Sequence, residues 1–186
     1  MFLADHQIKA LAVAGMIGPF TPEQIRTIDG RPCVSYGLSS VGYDARLSTT
    51  FRVFEGWNRM IDPLADRWHE AAPEKVNAPS CVIPPHGFAL AHTVERFRMP
   101  PDVFAICLGK STYARCGLIV NVTPLEPGWE GHVTLELVNP TPMPLRVHAG
   151  MGICQFLFAR VERPTTTYAD RAGKYQGQTG ITMPKV

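Results

Sequence analysis

The chain has 186 residues, of which 45% are hydrophobic and 18% charged, and its formal net charge is +2. That length suits one domain able to bury a core without staples, and the composition excludes a chain disordered throughout. So small a net charge gives no argument for nucleic-acid or membrane binding, and no apolar run reaches membrane-spanning length.

From the N-terminus, residues 5–14 read as a helix. Ile8, Leu11 and Ala12 form a stripe, Asp5 is placed to cap the start, and Gly15 to end it. Such a helix covers one end of a β-structure. Residues 19–42, rich in Pro, Thr, Ser and Gly, read as a loop with at most short strand pieces. Within and just after it, residues 35–44 combine hydroxyls, glycines and an acid but lack the Gly-Lys-Ser/Thr ending of a phosphate loop. They read as a turn feeding a strand over 43–47. A short strand follows at 51–54. Residues 55–80 carry Trp57, Trp68, His69 and several prolines without a pattern, and read as an excursion. The adjacent His69 and Glu70 have little weight as a site.

From Cys81 onward strands recur at 81–83, 88–94, 103–108, 118–123, 132–139, 145–148 and 153–161. Pro- and Gly-rich turns separate them, in keeping with 17 prolines and 16 glycines overall. Regular short strands with such turns predict an all-β sandwich or barrel. Residues 162–186 lose the strand pattern, and by composition alone they read as a frayed tail. The five cysteines, Cys33, Cys81, Cys107, Cys116 and Cys154, are odd in number, widely spaced and without a C-x-x-C. No signal-peptide pattern opens the chain. Reduced thiols in a cytoplasmic protein are the expectation.

Two stretches concentrate groups useful for chemistry. Lys110, Ser111, Thr112 and Arg115 bring two cations and two hydroxyls together directly after the apolar run 103–108. A turn of helix opening there directs free N–H groups outward and suits an anion such as phosphate. In the strand over 132–138, Val133, Leu135 and Leu137 share one face, and His132, Thr134, Glu136 and Val138 the other. Glu136 is therefore either solvated on an open face or held in a cleft. In a cleft, desolvation raises its pKa toward the range useful for proton transfer.

The motifs GKSTYARCG at 109–117, NVTPLEP at 121–127 and WEGHVTLE at 129–136 resemble the dCTP deaminase family of the dUTPase-like superfamily. So do SYGLSSVGYD at 35–44 and YADRAGKYQGQ at 168–178, so the likeness runs in order over most of the chain. It implies a mainly β, dUTPase-like distorted barrel or jelly roll with a short N-terminal helix, as one domain over 1–186. It further implies a homotrimer with shared active sites, and hydrolytic deamination of dCTP to dUTP and ammonia in pyrimidine deoxynucleotide synthesis. Residues 162–186 become a lid over the triphosphate. The matches depart at Gly128, where relatives often have Glu, and at Leu137, where Phe is common. The excursion 55–80 matches least.

Residue by residue, the resemblance implies that Glu136 is general base and then general acid. Ser111 and Arg115 position the water and stabilise developing charge. The nucleotide contacts implied are Lys110, Ser111, Thr112, Tyr113, Ala114 and Arg115, with Lys174 and Gln178 on the triphosphate and Tyr168 near sugar and phosphates. Gln155 also touches the nucleotide, and Thr134 and Leu135 read the cytosine edge through their backbones. An Arg115–Glu136 ion pair is a further expectation. Magnesium arrives on the triphosphate, with no protein metal ligands. dTTP is the expected inhibitor. The zinc signature of other nucleobase deaminases, H-x-E with P-C-x-x-C, is absent from the sequence, so a zinc route is disfavoured. The nearest rival is dUTP hydrolysis, with Glu126 activating water. A nucleotide-binding protein without turnover is the other, and intact Glu136, Ser111 and Arg115 argue against it.

Overall fold

The computed structural model of the chain describes residues 1–54, 61–64 and 72–185. Trp57, Trp68, His69 and Glu70 lie outside the described residues. Helix α1 spans Asp5–Val13 and buries Ile8 and Ala12. Its cap differs from the expectation. Gln7 Oε1 accepts the Ala4 N–H at 3.0 Å, so Ala4 is the capping position and Asp5 lies inside the first turn. Gly15, at φ +100°, ends the helix as expected.

Strands β1 (Ile17–Gly18), β2 (Ile25–Ile28), β3 (Arg31–Ser39), β4 (Gly42–Arg46), β5 (Thr50–Phe54), β6 (Val76–Asn77), β7 (Ser80–Ile83), β8 (Phe88–Arg98) and β9 (Val103–Gly109) follow. A short helix α2 (Ser111–Ala114) then leads to β10 (Ile119–Asn121), β11 (Glu130–Val138), β12 (Leu145–His148) and β13 (Gly152–Arg160). All described pairings of named strands are antiparallel. One sheet runs β10-β11-β8-β5-β6, with β1 also on β8. A second runs β2-β3-β4-β13-β9, and β12 pairs with β7. The core includes Phe97 of the first sheet and Phe156 and Phe158 of the second, with ring centroids 4.6 to 6.5 Å apart. Burying such aromatic surface is the main stabilising term.

Two parts of the fold differ from the sequence reading. Residues 25–39, expected as loop, form β2 and β3. Their glycine content conceals the strand: Gly37, at φ +103°, lets the chain at Glu23 pass where a Cβ would lie 2.0 Å from the Glu23 carbonyl oxygen. Strand β8, expected to stop at 94, continues to Arg98. Its charged end is neutralised from afar, since Glu95 pairs with Arg46, and Arg96 and Arg98 pair with Glu130. All five cysteines are free thiols.

Candidate active site

A cavity of about 730 Å³ opens between β8, β11, the turn after β10 and the C-terminal segment. Alternation in β11 behaves as its sequence predicts. Val133, Leu135 and Leu137 are buried, and Thr134 and Glu136 are half-buried and face the cavity. Glu136 is thus in a cleft rather than on an open face. Phe88, Leu90, Phe104 and Trp129 make the surrounding wall apolar. Burial raises the Glu136 carboxyl to about 7, while a backbone hydrogen bond and the Asn121 side chain pull the other way. Asn121 is the register partner of Glu136 on β10, and its Nδ2 donates to Glu136 Oε2 at 3.2 Å.

The C-terminal segment closes one side. Gln178 forms a parallel bridge with Gly131, its Nε2 donates to the His132 carbonyl at 2.7 Å, and its own carbonyl accepts the His132 N–H at 3.0 Å. The Thr182 N–H donates to Thr134 Oγ1 at 3.1 Å, and Ile181 is buried in a cluster with Phe54 and Leu90. Tyr168 lines the cavity, and its hydroxyl accepts the Tyr175 N–H at 3.1 Å. Arg171 pairs with Glu126 and stacks over the Tyr168 ring at 5.3 Å. Lys174 donates to the Lys185 carbonyl at 3.0 Å and does not line the cavity.

The residues expected at the nucleotide do not all meet at this cavity. None of Lys110, Ser111, Thr112, Arg115 and Gln155 lines the Glu136 cavity. Ser111, Thr112, Ala114 and Arg115 are exposed on or beside α2. Tyr113 turns inward, 5% exposed, and its hydroxyl accepts the His148 N–H at 3.0 Å. Lys110 pairs with the buried Asp44, and Gln155 Nε2 donates to Ser39 Oγ at 3.2 Å. Arg115 donates to the Ser111 carbonyl at 3.0 Å, so the expected Arg115–Glu136 pair does not form within one chain. The physical reason is placement: Arg115 caps an exposed helical turn, and Glu136 faces its own cleft. Among the described residues no three His, Cys, Asp or Glu side chains gather as a metal site. Sequence reasoning did not single out Asn121 or Asp44, because cross-strand register is invisible in the order of residues.

A family model described as dCTP deaminase-like matches residues 2–161. A dCTP deaminase of Erythrobacter litoralis is 55% identical, with 99% of this chain and 98% of that protein covered. One from Bordetella pertussis is 53% identical, with 98% and 97% covered. Among solved structures, the 2′-deoxycytidine 5′-triphosphate deaminase of Agrobacterium tumefaciens superposes with a TM-score of 0.61 at 19% identity, covering 87% of this chain and 48% of that one. That likeness speaks for the fold, and a mainly β architecture with a short N-terminal helix is the one observed. On the family model and these near-full-length relatives, the chain belongs to the dCTP deaminase-like family.

Proposed function

We propose that the chain is a hydrolase that converts dCTP and water to dUTP and ammonia, with Glu136 moving the protons. The observation that carries this reading is a carboxyl with a pKa of about 7 facing an apolar cavity in a chain of this family. Near neutral pH such a group is divided between its two forms. It accepts a proton from water as the oxygen bonds to the ring carbon bearing the amine, and returns a proton as ammonia leaves. Thr134 and Leu135 present the backbone of β11 to the base edge. The proton route needs no zinc, in keeping with the absence of the H-x-E and P-C-x-x-C signature from the sequence. Magnesium rides on the triphosphate oxygens and neutralises their charge, with no step assigned to it.

The functional unit is a homotrimer in which neighbouring chains complete each site. Support comes from the separation within one chain. Ser111, Thr112 and Arg115 lie exposed outside the Glu136 cavity, near the exposed apolar side chains of Leu108 and Ile119. A second copy brings the phosphate-binding turn to the carboxyl. The C-terminal segment acts as the lid, and dTTP competes for the same site.

The test mixes purified protein, dCTP and magnesium, then separates nucleotides and assays ammonia. Ammonia with accumulating dUTP supports the deaminase. Ammonia with dUMP and pyrophosphate adds a second hydrolysis and directs attention to Glu126, which also lines the cavity. Bound dCTP without ammonia removes the role given to Glu136. An unchanged rate at millimolar dTTP removes the inhibition.

A further inference from the structure

From sequence, residues 35–44 read as a turn, yet two of their side chains hold two of the residues assigned to the nucleotide. Asp44 has a side chain 2% exposed and pairs with Lys110 Nζ, whose side chain is 12% exposed. Gln24 Nε2 donates to the same Asp44 oxygen at 2.8 Å and to the Gly37 carbonyl at 3.0 Å. The other oxygen, Asp44 Oδ1, is buried without a hydrogen-bond partner. Alongside, Ser39 Oγ accepts Gln155 Nε2 at 3.2 Å and donates to the Gly42 carbonyl at 3.1 Å.

Strand register produces this arrangement. Asp44 is the partner of Gln155 on one side and of Gly37 on the other, and Ser39 is the partner of Gly42. Gly42, at φ +133°, brings the turn against β13, where a Cβ would lie 2.8 Å from the Phe156 carbonyl oxygen and 3.3 Å from Gln155 Cγ. A buried carboxylate with one idle oxygen is a poor device for stability alone. It is a good one for holding a flexible ammonium in a fixed place. Lysine otherwise loses much rotamer freedom when it meets an anion, and its two remaining N–H groups stay available.

We infer that Asp44 and Ser39 are positioning residues for the phosphate end of the nucleotide, Asp44 through Lys110 and Ser39 through Gln155. The inference rests on the deaminase reading and deepens it.

The test compares dCTP with 2′-deoxycytidine, which has no phosphates, as a competitive inhibitor. D44N is expected to raise KM for dCTP about tenfold, leave kcat within about twofold, and leave the inhibition constant of deoxycytidine unchanged. K110M should cost the same, and D44N/K110M no more than K110M alone, because both act through one ammonium. S39A is expected to give a smaller rise of about threefold. Equal losses for dCTP and deoxycytidine, or additive effects of D44N and K110M, overturn the inference and leave Asp44 a purely structural residue. Should D44N fail to fold, S39A decides by the same comparison. If wild-type protein releases no ammonia, the deaminase reading fails. If it does and KM for dCTP is unmoved in D44N, this inference fails alone.

Discussion

Asn121 and Glu136 face each other across β10 and β11, and the amide donates to the carboxyl at 3.2 Å. The bond favours the ionised form, against a stronger push from burial that leaves the carboxyl at about 7. Removing it in N121A raises the pKa further. The rising limb of kcat/KM against pH is therefore expected to move to higher pH, by about half to one unit. A limb that stays in place, or moves to lower pH, removes Asn121 from the titration.

The variant E136Q separates turnover from stability. Turnover is expected to fall by about 10²- to 10⁴-fold while dCTP still binds, as measured by calorimetry. Stability should change in the opposite sense. The folded carboxyl titrates at about 7, above the usual 4.5, so the fold binds a proton more tightly than the unfolded chain does. Wild-type stability from this group is full below the lower value and declines as pH rises through the upper one. E136Q lacks that decline, and its advantage above pH 7 is on the order of 1 kcal/mol after discounting for partial exposure. Melting curves at acid and alkaline pH check it. An advantage that is the same at both contradicts the sign.

The proposed sharing of sites between chains predicts complementation. E136Q and R115A are each expected to be nearly inactive alone. After the two are mixed, unfolded and refolded together, some sites contain one intact copy of each group, and deamination should return to a sizeable fraction of the wild-type rate. Activity that never returns would place Arg115 and Glu136 in the same chain's site or remove Arg115 from catalysis.

Glu95 is fully buried, and its carboxyl receives Arg46 Nε at 2.7 Å and the Arg46 backbone N–H at 2.8 Å. Burial raises its pKa, and Arg46 opposes that rise. Replacing Arg46 by Met leaves the carboxylate uncompensated in the core. A loss of about 3–5 kcal/mol is expected in denaturant unfolding. The double change R46M/E95L should recover much of it, and failure to recover would mean that the pair is not the source of the loss.

Gly131 seats the C-terminal segment. A Cβ there would lie 2.9 Å from the Gln178 carbonyl oxygen and 3.1 Å from its nitrogen, at φ +153°. G131A is expected to unseat residues near Gln178, speed tryptic cleavage at Arg171 and Lys174, and raise KM for dCTP about fivefold or more. Unaltered cleavage and KM would show that the bridge is not what holds the segment.

Local pattern made much of the β-structure readable. The strands expected at 103–108, 132–139, 145–148 and 153–161 appear as β9, β11, β12 and β13, because alternation is written in neighbouring residues. The end of β8 was not readable in this way. Glu95, Arg96 and Arg98 resemble the polar end of a strand until Arg46 and Glu130, distant in sequence, are seen to neutralise them. Tyr113 lies in the polar motif, but helix α2 turns it into the core, where the His148 N–H meets its hydroxyl.

By itself the sequence determined the family and the face of β11 that bears Glu136, since both depend on residue type and local spacing. Only the tertiary structure decided that this face lines a cleft and that the carboxyl is held near neutrality. Desolvation depends on what covers a group, and Phe88, Leu90, Phe104 and Trp129 line the Glu136 cavity from other strands and turns. The same holds for Asp44, whose grip on Lys110 exists only once β4, β13 and β9 lie side by side.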